Sequence, residues 1–188
     1  KRQDETLSDR ERPLSARGVS QLAPLGNALK SVGAFEGEVY SSSARRAVAT
    51  LQGILPDTVA AERYHTLSAL YTFDYRRLLA WLEEQADAPQ ITLVGHNPAL
   101  LELAQSLLKQ PPEQLPTASV IHIRLSIKHW RQIGRGKGKL VTLITPKDYS
   151  YAHFERKLKK RARTAGDDPA RDIPKALHHQ LDRLRQLE

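Results

Sequence analysis

The stretch Ile91-Thr92-Leu93-Val94-Gly95-His96-Asn97-Pro98 constrains this chain more than any other. It runs directly into the helically spaced set Leu100, Leu101, Leu103, Ala104, Leu107 and Leu108. A short apolar strand followed at once by an amphipathic helix is the repeating unit of α/β sheets. Asn97 reads as the helix cap, with Pro98 at the first helical position, where no amide partner is needed. His96 is thereby delivered to the carboxyl end of a strand, where such sheets bind ligands. A helix N-terminus offers unpaired amides and a positive dipole end, which suits an anion. An imidazole that is protonated or donates a hydrogen bond there would stabilise a phosphoryl group. Taken alone, the same residues also make an ordinary turn and cap.

A second segment repeats the pattern. Val39-Tyr40 is an apolar stub that reads as the end of a buried strand. Ser41-Ser42-Ser43 follows, and a helix then carries Ala47, Val48, Leu51 and Ile54 until Pro56 stops it. Arg45 and Arg46 open that helix. The planar guanidinium fork matches phosphate oxygens, although two arginines on a helix are unremarkable by themselves.

The remaining pattern is also α/β. Lys1 to Glu11 reads as loop. Ser15 is placed as the N-cap of a helix running to Gly33 with Val19, Leu22, Leu25, Leu29 and Val32 at helical spacing. A further helix is expected from Asp74 to Gln85, with Tyr75, Leu78, Leu79 and Leu82 on one face. Ser119 to Ile127 and Lys139 to Ile144 read as strands. Ile133-Gly134-Arg135-Gly136-Lys137-Gly138 between them reads as a hairpin turn. It lacks the spacing of a phosphate-cradling loop and does not precede a helix. The expected architecture is one three-layer α/β domain over residues 1–148, with a mostly parallel central sheet flanked by helices. Residues 149–188 read as a helical extension, six of the eight residues 156–163 being Lys or Arg.

Composition narrows the function classes. Twenty-nine Lys and Arg against 21 Asp and Glu give a net charge of +8, which favours anionic partners. The absence of cysteine excludes a disulfide framework, a thiolate metal site and a cysteine nucleophile. No apolar run approaches the roughly 20 residues of a membrane span, and no signal peptide is visible, which fits a cytoplasmic protein. No metal site is indicated: His178 and His179 are adjacent and point apart on a helix. Charge alone would admit nucleic acid, but no aromatic-basic interleaving or known module supports it.

The segments together resemble the histidine phosphatase superfamily, with its phosphoglycerate mutase-like fold. The pattern runs from Ser42 through Arg46-Ala47 to Thr50, and then to Gly95-His96-Asn97-Pro98. Asp9-Arg10-Glu11-Arg12-Pro13-Leu14-Ser15-Ala16-Arg17-Gly18 is similar to the Arg-Pro-Leu-Ser/Thr-x-Arg-Gly segment of the SixA-type phosphohistidine phosphatases. Trp130 and Thr145-Pro146-Lys147-Asp148 look like the same subgroup.

The resemblance implies phosphatase activity without a cofactor, on phosphohistidine or a small phosphate ester. The partner is then a phosphorylated protein or a small phosphorylated molecule. A histidine of an Arg-His-Gly or Arg-His-Ala motif attacks phosphorus, and water hydrolyses the resulting phosphohistidine. Arg46 and His96 match the second arginine and second histidine that hold the phosphoryl oxygens, with Asn97 beside them. Counting back from Thr50 selects Arg46 over Arg45. No histidine precedes His65, so the first strand and its nucleophile are expected ahead of Lys1. The alternative is a phosphate-binding scaffold without turnover. His65 and Asp74 fall in the region that would cover the site. His65 reads as an ordinary surface histidine.

Overall fold

The computed structural model describes residues 7–55, 61–86 and 88–149. The basic extension, His153, His178, His179 and the stop expected at Pro56 lie outside these residues. Among the described residues no helix is long and apolar enough to cross a membrane.

Three parallel strands form the centre: β1 (Glu38–Ser42), β2 (Tyr64–Leu67) and β3 (Ile91–Val94), in the order β2-β1-β3. β1 pairs in register with β3, Ser41 lying opposite Val94. The central strand alternates its side chains between two helical layers. Val39 faces one layer, built by α2 (Leu22–Ser31) and α3 (Arg45–Ile54), where Leu25, Leu29, Leu51 and Ile54 are buried. Tyr40 packs on the other side against the cluster of α4 (Tyr75–Glu83) and α5 (Ala99–Leu107), where Leu78, Leu82, Leu103 and Leu107 are buried. β4 (Val120–Leu125) and β5 (Gly138–Ile144) form a separate antiparallel pair. The structure is therefore α/β in three layers with a parallel sheet at its centre.

Several expectations are refined by packing. Ser15 does cap a helix, its Oγ accepting from the Gly18 amide, but that helix, α1 (Ala16–Ser20), ends after one turn and α2 begins beyond Gln21. The break leaves Val19 56% exposed rather than on the core face. β2 was not expected, because its residues are alternately exposed and half-buried and carry no apolar run. The Gly-rich segment does lie between antiparallel strands, in a longer connection that includes a 3-10 turn at Trp130–Gln132. A register shift between His122 and Ile123 interrupts the alternation expected along β4. A short helix, α6 (Pro146–Tyr149), starts earlier than the extension was expected to, and the Tyr149 hydroxyl donates to the Ala118 carbonyl.

A cavity of about 1060 Å³ lies between the parallel sheet and the β4–β5 pair, lined by every residue of β3 and of β4. Among the described residues β3 pairs only with β1, and β4 only with β5, so each strand turns a hydrogen-bonding edge toward this space. At the carboxyl end of β3 the cavity reaches Arg46, Phe73, His96 and Asn97.

Candidate active site

The register of the sheet builds the site. Because β1 and β3 run parallel with Ser41 beside Val94, Ser42 and the Gly95-His96 turn emerge side by side. β1 passes directly into α3, whose first turn carries Arg45 and Arg46. The Ser42 hydroxyl accepts the Ala44 amide at 3.2 Å, which fixes that junction.

His96 is 7% exposed. Its Nε2 lies 2.7 Å from Ser42 Oγ, and its Nδ1 lies 3.2 Å from Arg46 Nη2. A guanidinium can only donate, so Nδ1 accepts and the ring proton sits on Nε2, donated to Ser42. Desolvation, and next the Arg46 charge, push the His96 pKa below its ordinary value, with Asp9 opposing. The resting ring is thus a neutral imidazole rather than the imidazolium also considered from sequence.

The structure brings Arg46 and His96 together and leaves Arg45 exposed. It does not bring the Asn97 side chain to them. Asn97 Nδ2 donates instead to the Leu115 carbonyl at 2.6 Å, tying down the loop before β4. Nor does Asn97 cap α5: Pro98 holds the cap position, with no side-chain cap bond. His65 pairs with Glu38 at 3.2 Å and stacks on Tyr40, while Asp74 caps α4 through the Arg76 amide. Both are accounted for by the fold.

Three residues around the pair carried no assigned role in the sequence. Asp9 Oδ2 accepts from Arg46 Nη2 at 2.9 Å and from the Tyr71 hydroxyl at 3.0 Å. Burial works to raise the Asp9 pKa, but the hydrogen bonds from Arg46 and Tyr71 and the charges of Arg46 and Arg12 outweigh it and hold the carboxyl below its ordinary range. Tyr71 and Phe73 both lie against the His96 ring, at centroid separations of 5.5 and 5.4 Å. One legible signal for the Asp9 turn was Ser8-x-x-Glu11, a capping-box spacing that the structure forms.

The fold and this cluster define a class: a three-layer α/β domain that gathers an arginine and a histidine at the carboxyl ends of parallel strands. Solved structures place that fold more narrowly. The chain is similar to a structure assigned to phosphohistidine phosphatase SixA from Nakamurella multipartitia, with TM-score 0.62 and 19% identity over 75% of this chain and 88% of the other. A second, assigned to the same protein from Agrobacterium tumefaciens, gives TM-score 0.62 and 16% identity over 77% and 90% of the two chains. A third, the protein histidine phosphatase SixA complexed with tungstate, gives 0.60 and 21% over 77% and 91%. The chain has the fold of the SixA-type histidine phosphatases, as its motifs led one to expect. No protein-family model and no curated protein sequence matches it.

Proposed function

We propose that this domain is a phosphatase of the SixA type, hydrolysing phosphohistidine or a small phosphate ester through a covalent phosphohistidine. The observation that carries the reading is the Arg46–His96 contact at 3.2 Å, at the carboxyl ends of β1 and β3. Arg46 supplies fixed charge for the phosphoryl oxygens, and His96 would donate to them once Nδ1 takes up a proton in place of its contact with Arg46, in a partly water-excluded site where such groups act strongly. Asn97 would act on the site only indirectly, its side chain holding Leu115 rather than reaching Arg46 or His96.

The nucleophile would come from the cavity between β3 and β4. One further strand seated there would satisfy both open edges, and a histidine at its carboxyl end would face Arg46 and His96. Its nitrogen would form a bond to phosphorus as the bond to the leaving group breaks and the leaving group takes up a proton. Water would then attack phosphorus, release inorganic phosphate and regenerate the histidine.

Phosphate release from a phosphohistidine-bearing protein tests this. Release that falls on His96→Ala and Arg46→Ala supports the reading. Release unaffected by either variant would sink it. Phosphate binding without release by the wild-type chain would establish the alternative, a binding domain.

A further inference from the structure

We propose that Asp9 is the positioning residue for Arg46, holding its guanidinium against His96 with Tyr71 as the brace; the proposal rests on Arg46 being a phosphoryl ligand.

The geometry is two-point. Arg46 Nη1 donates to the Asp9 main-chain carbonyl, and Arg46 Nη2 donates to the Asp9 carboxylate at 2.9 Å. Two contacts from one residue across both arms of the fork fix the rotation of the guanidinium plane as well as its location. An arginine side chain has several freely rotating bonds, so without that hold Nη2 would visit many positions. Its distance to His96 Nδ1 is 3.2 Å, and arrays of ligand-gripping groups lose effect steeply when one member is displaced.

Asp9 is itself anchored from several directions, unlike an ordinary surface ion pair. Its turn is closed by Ser8 and Glu11, with Ser8 Oγ donating to Glu11 Oε2 at 2.6 Å and the Glu11 amide donating to the Ser8 carbonyl at 3.0 Å. Arg10 Nη2 donates to Ser43 Oγ at 2.8 Å, tying the turn to the β1–α3 junction. The Tyr71 hydroxyl holds the carboxylate at 3.0 Å, and Arg12 Nη1 lies 3.5 Å from its other oxygen. Arg10 also sits over the Tyr71 ring, 5.7 Å from its centroid. The turn, the brace and the guanidinium thus form one connected unit around the mouth of the site.

The carboxylate has two effects of opposite sign. Its hydrogen bonds orient Arg46, which favours phosphoryl binding. Its negative charge beside that position repels an incoming anion. Asn at position 9 keeps an acceptor oxygen and removes the charge, whereas Ala removes both. Positioning therefore predicts an order of affinities, with Asp9→Asn equal to or tighter than wild type and Asp9→Ala weaker.

Calorimetric titration with inorganic phosphate, together with nitrogen NMR of His96 in the ligand-free protein, tests the proposal. Asp9→Ala should weaken phosphate binding about tenfold, in line with loss of a charged hydrogen bond. The His96 Nδ1 resonance should move toward that of an unbonded acceptor in Asp9→Ala and stay in place in Asp9→Asn. Tyr71→Phe should shift both readouts in the same direction by less. Binding in Asp9→Ala as tight as wild type or tighter would overturn the proposal and make Asp9 a resident competitor for Arg46. Asp9→Asn as weak as Asp9→Ala would overturn it in favour of charge alone. If wild type binds no phosphate, the proposed function fails, and the His96 resonance still decides: a shift in Asp9→Ala upholds positioning and an unmoved one ends it.

Discussion

Nε2 of His96 lies 2.7 Å from Oγ of Ser42, a serine with no exposed surface at the end of the adjacent strand. This contact joins two segments 54 residues apart in sequence. It also determines which nitrogen of His96 carries the proton, because the other faces a donor that cannot accept. Ser42 is the shared anchor of β1, of the start of α3 and of the histidine.

Replacement of Ser42 by Ala removes the acceptor of the His96 Nε2–H and of the Ala44 amide at once. Leaving buried donors unpaired costs about 1–3 kcal/mol each. Urea denaturation should show a loss of about 2–6 kcal/mol for the two donors together, with phosphate binding weakened in parallel. An unchanged midpoint would mean that water or relaxation replaces the hydroxyl.

The environment of His96 also sets a pH signature. Its folded-state pKa lies below the ordinary 6.5, first through desolvation and then through Arg46. The unfolded chain therefore binds more protons than the folded one in that window, so stability rises with pH. This contribution is fully present above about pH 6.5 and is lost as pH falls through the lowered folded value. An NMR titration should place the midpoint below 6.5, and His96→Asn should flatten that part of the stability profile. A midpoint at or above the ordinary value would contradict the neutral-imidazole assignment.

The neighbouring arginines should behave unequally. Arg46→Ala removes the donor beside His96 and is expected to lower phosphate release about 100-fold or more, as loss of one charge-stabilising donor does. Arg45→Ala, at an exposed position, should stay within roughly threefold, because exposed charges contribute little. Comparable losses in the two variants would refute the assignment made by counting back from Thr50.

Two glycines separate close packing from open space. A Cβ at Gly37 would lie 2.2 Å from the Gln90 carbonyl oxygen, which accepts the Glu38 amide at the start of β1. Gly37→Ala should destabilise by about 1–3 kcal/mol or more, as overpacking does. At Gly134 a Cβ would meet nothing within 4 Å, and Gly134→Ala is expected to be neutral or to stabilise by about 0.4–1 kcal/mol. Thermal melting of the pair checks both.

What the sequence made legible was local. The apolar stub at Val39-Tyr40 and the run Ile91–Val94 became β1 and β3, because consecutive apolar residues ending in a polar turn have few other ways to be buried. The set Ala47, Leu51 and Ile54 became the core face of α3, and Leu78 and Leu82 that of α4, because period and burial are coupled in a helix. β2 escaped notice because Tyr64–Leu67 alternates exposed and half-buried residues and carries no apolar run. The break at Gln21 was equally silent, since nothing in the periodicity marks where a helix turns.

For the candidate site, the sequence placed His96 at a strand end and Arg45 and Arg46 at a helix start, and the resemblance to the histidine phosphatases selected Arg46 and His96 among them. Tertiary structure alone decided that these two meet, because their proximity depends on the parallel register of β1 with β3. It likewise directed Asn97 to Leu115 instead of the site, and recruited Asp9 and Tyr71 from distant segments to hold Arg46. Local patterns record how each segment buries its own apolar face. The contacts of a charged side chain depend on which other segments the assembled layers place within hydrogen-bonding distance.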